Sequence, residues 1–397
     1  MAAETLPELR RDYRVNSAAP VVAYGDQSVR RVPAHVHALG ARRVLLVCGR
    51  RSFEASGAAA MLPDLESVAE LRRWSDFAPN TDAADLWVGL EVMREFEPDL
   101  VLGVGGGSAL DMAKLLCTFR DIPGSHVVGT IRDGLEPKTR REHLVLVPTT
   151  SGSGAEATHF AVVYVGNDKF SIGGEGMRPD AIALDPTLAV TGTPYQRATS
   201  GIDAVCQAIE SLWAVSATER SRRFARIALR VLLPAIERFV NNPEPQSARA
   251  MCIGSHFAGR AIDISRTTAA HALSYGITKN YGVSHGHAVA LTLGAFLELH
   301  AHPAPAYLHP DVDPAQHELT MNEIFSYFSA HDGGAGRAAF QHLLRRIGLP
   351  STIGDASATA IDPGHLIRTV NVERLSNNPI VLDEAKLGAI LERSTMP

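Results

Sequence analysis

Residues 100–117 read LVLGVGGGSALDMAKLLC, an apolar run that leads through glycines into a helical pattern. The run Leu100–Val104 predicts a strand buried on both faces, and the apolar spacing after the glycines predicts a helix. Backbone N–H groups in such a turn lie at the positive end of the helix, where pyrophosphate binds well. A tight turn without a ligand is the alternative. The residues that we expect to contact a dinucleotide here are Gly105, Gly106, Gly107, Ser108 and Asp111.

Similar apolar runs occur on both sides of this segment, at Val44–Val47 and Leu144–Val147. Between the first two runs, Asp82–Phe96 has apolar residues close to helical spacing. This alternation is typical of a parallel sheet covered by helices. Hydroxyls and glycines follow the third run in VPTTSGSGAEAT, at the strand end where parallel sheets bind ligands. We expect Thr149, Thr150 and Ser153 to bind the same dinucleotide, with an ordinary polar turn as the alternative.

The second half of the chain has a different pattern. From about Thr193, strand signals nearly vanish and long helical stretches follow, with a proline-rich loop at Pro303–Pro314. The sequence therefore predicts an α/β dinucleotide-binding domain with a parallel sheet over residues 1–193. A helical metal- and substrate-binding domain is predicted over residues 194–397, with the active site in the cleft between the two.

Charge and composition exclude several classes of protein. The 397 residues include 38 Lys+Arg and 43 Asp+Glu, a net charge of -5, so no basic excess is present to bind nucleic acid or a membrane surface. No uncharged apolar run reaches the roughly 20 residues of a spanning helix, and the N-terminus lacks a secretory pattern. Four scattered cysteines fit a reducing compartment, so we expect a cytoplasmic protein.

A group of metal-ligating residue types occurs in the helical half. Asp203 and Gln207 are four residues apart on one predicted helix face, and His271 and His285 are fourteen apart. One carboxylate, one amide oxygen and two imidazoles would make a four-ligand site that suits Fe(II) or Zn(II). The chain has 16 histidines, so each one alone is more often an ordinary core or surface residue.

Four motifs, in this order and with these separations, resemble the iron-containing (group III) alcohol dehydrogenase family. They are GGGSALDMAK, PTTSGSGAE, GIDAVCQAIE and the paired histidines that end in HGH. The resemblance covers the chain from about Tyr24 to Leu391. It implies a nicotinamide cofactor, a divalent metal (Fe(II) ahead of Zn(II)) and interconversion of an aldehyde or ketone with an alcohol. A homodimer is common in this family.

The resemblance also implies the metal ligands. The family's metal aspartate falls on Asp203, and its next ligand, usually histidine, falls on Gln207. An amide oxygen is a weaker ligand than imidazole, so Gln207 is expected either to bind the metal loosely or only to orient water. The two remaining ligands fall on His271 and His285.

The route of the proton departs from the family pattern. Many members have a histidine one turn after the first ligand histidine, where this chain has Tyr275. A metal-polarised aldehyde that accepts hydride from NADPH also needs a proton. We expect it to come through Tyr275 or through His287, two residues beyond a ligand, and rank the two equally.

Two segments look like the branch of the family that reduces phosphonoacetaldehyde to 2-hydroxyethylphosphonate, a step in antibiotic pathways such as that of phosphinothricin. They are residues 264–291, ISRTTAAHALSYGITKNYGVSHGHAVAL, and residues 371–382, NVERLSNNPIVL. A dianionic substrate needs cationic and hydrogen-bonding groups near the metal histidines. Surface or loop positions are the alternative for each. The residues expected to bind the phosphonate are Arg266, Thr267, Thr268, Lys279 and Asn280.

The choice of nicotinamide cofactor follows from the segment VLLVCGRRSF. Many family members have an aspartate after this strand, which accepts from the ribose and repels a 2′-phosphate. Here Gly49 takes that place, followed by Arg50 and Arg51. Loss of the carboxylate and gain of two guanidiniums favours NADPH, with NADH as the alternative.

Three other functions compete with this prediction. The first is a general iron-type alcohol dehydrogenase that acts on an uncharged aldehyde. The second is a non-catalytic nucleotide-binding relative that has lost its metal, an idea that Gln207 encourages. The third is a metal-dependent lyase or cyclase of the dehydroquinate synthase type, which would show no net oxidation of the nicotinamide.

Overall fold

A computed structural model of the chain describes residues 12–13, 19–166, 168–368, 370 and 375–395. Residues 371–374 of the NVERLSNNPIVL segment therefore lie outside the described residues. The described chain forms two compact units. The first contains its residues up to Thr150 together with Gly154–Thr191, and the second contains Ser151–Ser153 and the residues from Gly192 onward.

The first unit is an α/β structure. Its described strands are β1 (Asp12–Tyr13), β2 (Val21–Tyr24), β3 (Arg43–Cys48), β4 (Glu70–Trp74), β5 (Leu100–Gly105), β6 (His143–Pro148), β7 (Phe160–Val165), β8 (Asp168–Gly173) and β9 (Ala181–Leu184). Its described helices are α1 (Val32–Ala38), α2 (Ser52–Ala55), α3 (Leu62–Val68), α4 (Ala83–Phe96), α5 (Gly107–Phe119) and α6 (Val127–Asp133).

One sheet contains seven of these strands in the order β1-β2-β9-β6-β5-β3-β4. Strand β1 is antiparallel to β2, and the other neighbours are parallel, so that Val101 of β5 lies opposite Leu45 of β3 and Leu144 of β6. Strands β7 and β8 pair with each other in a separate antiparallel hairpin. The parallel sheet and its three strands predicted from apolar runs are confirmed.

Helices cover both faces of the sheet, as its double-sided apolar strands require. Leu45 and Val47 pack into a core with α4 and α5, whereas Val44 and Leu46 pack into a second core with α1 and α3. Gly103 lets β5 pack closely against α5 and β6, because a Cβ atom there would lie 2.8 Å from the side chains of both Ala113 and Leu146.

The second unit is mostly helical, as predicted. Its described helices are α7 (Pro194–Trp213), α8 (Glu219–Asn241), α9 (Pro245–Ser265), α10 (Ala269–Tyr281), α11 (His285–Ala301), α12 (Pro314–Tyr327), α13 (Gly333–Arg346), α14 (Ile353–Ala356), α15 (Pro363–Arg368) and α16 (Glu384–Thr395). Among the described residues, no helix is both long and apolar enough to cross a bilayer.

Candidate metal centre

Helix α7 carries three polar side chains on one buried face. A capping box between Thr193 and Gln196, with Pro194 in the first turn, fixes where the helix begins. Asp203, Gln207 and Glu210 follow at spacings of four and three residues, so they share one side of the helix. All three are buried, and buried polar groups in a helix require partners from other elements.

The two expected ligand histidines come from α10 and α11. His271 lies in the first turn of α10, and His285 is the first residue of α11. Nε2 of His271 is 3.4 Å from Oδ1 of Asp203, and the two imidazole rings have their centroids 5.5 Å apart. One ligand atom from each of Asp203, His271 and His285 lies within 4.8 Å of the others.

Gly286 allows α11 to approach α7 at this point. A Cβ atom on Gly286 would lie 2.1 Å from the carbonyl oxygen of Thr199 and 2.6 Å from Cβ of Asp203. Real side chains do not approach so closely, so any larger residue would separate the two helices. The glycine of the HGH motif therefore sets the position of His285 relative to Asp203.

Glu210 is a fully buried carboxylate that anchors His271 from the side opposite Asp203. Its Oε2 accepts a hydrogen bond from Nδ1 of His271. Its Oε1 accepts from the hydroxyl of Thr268 at 2.7 Å, from the amide of Thr268 at 3.1 Å and from the amide of His271 at 3.3 Å. Trp213 in turn donates to the Thr268 hydroxyl at 3.0 Å. This network fixes the imidazole ring with its Nε2 atom toward Asp203.

The surroundings of His271 favour a positive charge. Burial opposes protonation, but the neighbouring carboxylates of Glu210 and Asp203 outweigh it and raise the pKa of His271 to about 9. In the metal-free protein the His271 imidazole is therefore protonated and positively charged, and it faces two carboxylates. A metal cation would supply positive charge at the same place.

Gln207 has its amide oriented by two acceptors. Its Nε2 donates to Oδ2 of Asp203 at 3.1 Å and to the carbonyl oxygen of Ser153 at 3.3 Å. Because the nitrogen takes both bonds, the oxygen Oε1 is turned away from them. Within the described chain, this buried oxygen has no hydrogen-bond partner.

The residues present fit a divalent metal. Two buried atoms, Oε1 of Gln207 and Nε2 of His271, have no hydrogen-bond partner among the described residues, and both are ligand atoms. With a carboxylate from Asp203 and an imidazole from His285, the set is two nitrogens and two oxygens. This set suits Fe(II) or Zn(II) better than a purely oxygen-ligated Mg²⁺ or Ca²⁺.

The surroundings of His285 come from α10. The Tyr275 ring stacks on the His285 ring with centroids 5.8 Å apart and an interplanar angle of 16°. The hydroxyl of Ser274 lies 3.2 Å from Nδ1 of His285 and donates to the carbonyl oxygen of His271 at 2.7 Å. Tyr275, one of the two predicted proton routes, is thus in contact with a candidate ligand.

His287, the other predicted route, has different partners. It is 2% exposed, and its Nε2 lies 2.8 Å from the carbonyl oxygen of Pro350, which can only accept, so Nε2 carries the proton. Its ring makes an edge contact with Tyr195. Burial lowers the pKa of His287, so this imidazole is neutral.

The five residues expected to bind a phosphonate fall into two groups. The hydroxyl of Thr268 donates to Glu210, and Thr267 is buried with its carbonyl bonded to Asn377. Lys279 and Asn280 are exposed near the end of α10, and Arg266 is half-buried between α9 and α10.

His271, Tyr275 and Lys279 follow at intervals of four residues, so they share one face of α10.

Arg266 adopts a strained backbone conformation, with φ 58° and ψ -175°. Such angles are almost restricted to glycine, and other residues adopt them only where the surroundings impose them. Asn377 holds the backbone on both sides of Arg266. Its Nδ2 donates to the carbonyl oxygens of Ser265 at 2.8 Å and of Thr267 at 3.0 Å, on either side of Arg266. Its Oδ1 accepts from the amide and hydroxyl of Ser216.

The predicted dinucleotide residues of the first unit lie at the carboxyl ends of β5 and β6. Gly106 precedes α5, and the amide of Thr149 donates to the carbonyl of Gly105 at 2.9 Å, which joins the two turns. Gly107 and Ser108 are the first two residues of α5, and Thr150 follows the end of β6. The carboxylate of Asp111 accepts a hydrogen bond from the amide of Val162 at 3.0 Å, and the Ser108 hydroxyl accepts one from the amide of Asn80.

Ser153, also predicted to bind the dinucleotide, belongs to the second unit, where its carbonyl oxygen accepts a hydrogen bond from Gln207.

The arginines after β3 lie in a turn with several charges. Arg50 pairs with Asp76, which follows the neighbouring strand β4, and also bonds the carbonyl of Ser75 at 3.3 Å. Arg73 of β4 pairs with Glu54 and donates to the carbonyls of Gly49 and Arg50. With Arg51, which is exposed, three guanidiniums face two carboxylates in this turn.

Sequence reasoning missed three residues of the site, namely Glu210, Ser274 and Asn377. Glu210 could have been found, because it follows Asp203 by seven residues and so lies on the same helix face. The contacts of Ser274 and Asn377 depend on the packing of other segments, and no local pattern indicates them.

Comparison with known proteins agrees with this geometry. The model of the iron-containing alcohol dehydrogenase family matches residues 19–186, and the model of that family's C-terminal region matches residues 197–395. A phosphonoacetaldehyde reductase of Streptomyces viridochromogenes is 31% identical over 319 residues, which cover 77% of this chain and 78% of that protein. Long-chain-alcohol dehydrogenase 1 of Geobacillus thermodenitrificans is 34% identical over 206 residues, about half of each chain.

Solved structures show the same fold. The sulfoacetaldehyde reductase of Bifidobacterium kashiwanohense, solved in complex with NAD⁺, superimposes with a TM-score of 0.83 over 96% of this chain and 98% of that chain, at 22% identity. The family models, the related sequences and the grouping of Asp203, His271 and His285 agree. This chain is an oxidoreductase that belongs to the iron-containing alcohol dehydrogenase family.

Proposed function

We propose that this protein reduces phosphonoacetaldehyde to 2-hydroxyethylphosphonate with NADPH. The aldehyde carbon accepts a hydride, the oxygen accepts a proton, and the cofactor leaves as NADP⁺. The similarity to the phosphonoacetaldehyde reductase of Streptomyces viridochromogenes supports this substrate.

The strained Arg266 is the observation on which the anionic substrate chiefly rests. A strained non-glycine residue persists where a function needs its side chain, since glycine would adopt the same backbone at lower cost. Arg266 lies two residues before Thr268, which bonds the carboxylate that anchors His271. An arginine can donate two parallel hydrogen bonds to a phosphonate, which few neutral substrates would use.

Lys279 supplies the second positive charge in this proposal. It is exposed, and it shares a helix face with His271 and Tyr275. A phosphonate and its aldehyde carbon are joined through one methylene group, so both must bind within a short distance. The side chains of Thr267 and Asn280 complete the proposed phosphonate site, whereas the hydroxyl of Thr268 is used by Glu210.

We assign the metal to Asp203, Gln207, His271 and His285, with Fe(II) as the native ion and Zn(II) as the alternative. The metal would act as a Lewis acid that polarises the carbonyl group. The residues of the chain prepare the site: Asp203 supplies the anionic ligand, and Glu210 holds His271 with Nε2 directed inward.

We propose Tyr275 rather than His287 as the group that passes the proton. Tyr275 stacks on His285, whereas His287 uses Nε2–H on the Pro350 carbonyl and is almost fully buried. Tyr275→Phe should lower kcat by about a hundredfold, the size typical of a general acid. His287→Gln should leave kcat within about threefold, and the reverse pattern would exchange the two roles.

The positive turn after β3 supports NADPH. Three guanidiniums against two carboxylates leave a net positive charge for a 2′-phosphate, and Gly49 removes the carboxylate that would repel it. Arg50→Ala should reduce the ratio of kcat/KM for NADPH to that for NADH by about tenfold, the loss of one charge-assisted hydrogen bond. Arg94→Ala is the control, because Arg94 is a half-buried arginine of α4 that pairs with Glu91.

The substrate is tested by the rate of NADPH oxidation with three aldehydes. They are phosphonoacetaldehyde, acetaldehyde and 3,3-dimethylbutanal, an uncharged aldehyde whose tert-butyl group has the shape of the phosphonate. We expect kcat/KM for phosphonoacetaldehyde to exceed both others by at least about a hundredfold, which two charged contacts account for. Equal kcat/KM values for phosphonoacetaldehyde and 3,3-dimethylbutanal would mean that the protein is a general alcohol dehydrogenase.

We further propose that the enzyme acts in the cytoplasm as a homodimer. The four cysteines are buried free thiols, which fits a reducing compartment. Sedimentation equilibrium of the purified full-length chain tests the dimer, and a monomer mass would overturn it.

A further inference from the structure

We propose that Ser274 is a positioning residue of the metal centre, which selects the tautomer of His285 that can bind a metal. This inference rests on the metal site of the proposed function but is independent of the substrate. The hydroxyl of Ser274 lies between the two candidate ligand histidines, 2.7 Å from the backbone oxygen of His271 and 3.2 Å from Nδ1 of His285.

The number of protons on the Ser274 hydroxyl fixes the direction of its hydrogen bonds with the His271 carbonyl and with Nδ1 of His285. A serine hydroxyl has a single proton, and a carbonyl oxygen can only accept. The proton of Ser274 therefore points to the His271 carbonyl. Its remaining lone pairs face Nδ1 of His285, so that nitrogen must be the donor.

The tautomer of His285 follows from this. A neutral imidazole with a proton on Nδ1 has its lone pair on Nε2. Glu210 imposes the same tautomer on His271, because a carboxylate accepts from Nδ1 of that ring. Ser274 and Glu210 thus direct the Nε2 lone pairs of both histidines to the metal, one through a hydroxyl and the other through a carboxylate.

Ser274 also links the two ligands mechanically. It is fully buried in α10, one turn after His271, and its hydroxyl joins this helix to the first residue of α11. Together with the stacked ring of Tyr275, it restricts rotation of the His285 imidazole. Without the hydroxyl, the ring loses this acceptor for Nδ1–H, and a His285 ring with its proton on Nε2 cannot bind a metal through that atom.

The test compares Ser274→Ala with Ser394→Ala. Ser394 is also buried in a helix and donates to a backbone carbonyl, that of Ile390 at 2.7 Å, but has no hydrogen bond to a histidine in the described chain. Zn²⁺ affinity is measured by competition with a chromophoric chelator. The protonation of His285 is read from ¹⁵N spectra of the metal-free, histidine-labelled chain at alkaline pH, with His285→Gln to assign the signals.

We expect Ser274→Ala to weaken Zn²⁺ binding by about ten- to a hundredfold, as outer-shell changes do. The His285 spectrum should shift from the Nδ1–H form toward the Nε2–H form, while Ser394→Ala changes neither quantity. Unchanged Zn²⁺ affinity in Ser274→Ala would overturn the proposal. So would weaker binding with the proton still on Nδ1, or an equal loss in Ser394→Ala. None of these readouts depends on the aldehyde substrate.

Discussion

The Nε2 atom of His271 lies 3.4 Å from Oδ1 of Asp203, while Nδ1 of the same ring is bonded to Glu210. The imidazole is therefore held between two carboxylates from a single helix, α7. Two negative charges beside one buried ring are costly unless a cation is present. This relationship explains why the site fits a metal cation and how the buried Glu210 takes part in it.

Glu210→Gln should weaken both the metal site and the fold. The amide has only one acceptor atom for the four donors that bond Glu210, and it removes the negative charge behind His271. We expect metal affinity to fall by about ten- to a hundredfold. The unfolding free energy of the metal-free protein should fall by about 2 kcal/mol, the cost of buried unsatisfied donors.

Chelator competition and urea denaturation measure the two effects of Glu210→Gln. Glu323→Gln is the matched control, because Glu323 accepts from Arg226 in a half-buried pair that has no hydrogen bond to His271 or His285 among the described residues. Wild-type metal affinity in Glu210→Gln would show that the carboxylate serves only the fold.

Variants of Gln207 separate its two expected roles. An imidazole binds Fe(II) or Zn(II) more strongly than an amide oxygen, so Gln207→His should tighten metal binding by about tenfold or more. Gln207→Leu keeps the bulk but lacks the Oε1 atom, and it should weaken binding by a similar factor. Metal content after dialysis against graded chelator gives both values. If Gln207→Leu binds metal like the wild type while kcat falls, Gln207 orients water instead.

Gly286→Ala tests the close approach of α11 to α7. The added Cβ atom would meet the Thr199 carbonyl at 2.1 Å, so the helices must separate next to the candidate ligand His285. We expect a loss of about 2–3 kcal/mol in unfolding free energy and a metal affinity at least tenfold weaker.

Gly294→Ala in the same helix should have the opposite effect on stability. A Cβ atom there has its nearest contact at 3.5 Å, an ordinary distance, and alanine is the better helix former by about 1 kcal/mol. Thermal unfolding of both variants with and without metal checks the pair. Equal stability of the two would show that Gly286 is not a point of close packing.

The strands and helices that could be predicted from the sequence are those with a strong local pattern of apolar or capping residues. The buried strands β3, β5 and β6 are continuous apolar runs, and α4 begins where Asp82 caps it. Strand β4 was not predicted, because Glu70–Trp74 is a charged edge strand that pairs with β3 alone. The β7–β8 hairpin lies outside the main sheet and has no alternation with helices to mark it.

The grouping of Asp203, His271 and His285 was predictable for a different reason. Asp203 and Gln207 have helical spacing, and the resemblance to a family fixed the two histidines. The residues that orient the ligands were not predictable, because their partners are distant in sequence. Glu210 bonds residues 58 and 61 positions away, and Asn377 reaches back more than one hundred residues to Ser265.

The strain at Arg266 leads to a prediction about stability and function together. Glycine adopts φ 58° and ψ -175° without strain, whereas a residue with a Cβ atom is strained at these angles. Arg266→Gly and Arg266→Ala both lose the guanidinium, so their difference isolates the backbone. We expect the glycine variant to be more stable by about 1–2 kcal/mol in urea denaturation.

Both Arg266 variants should lose phosphonate preference equally. The KM for phosphonoacetaldehyde should rise by about tenfold or more, the loss of a charge-assisted contact, while kcat/KM for 3,3-dimethylbutanal should stay near the wild-type value. Equal stability of the two variants would mean that the backbone angle costs nothing. If stability differs as expected but substrate preference is unchanged, the strain serves the turn that Asn377 holds, and the phosphonate is bound elsewhere.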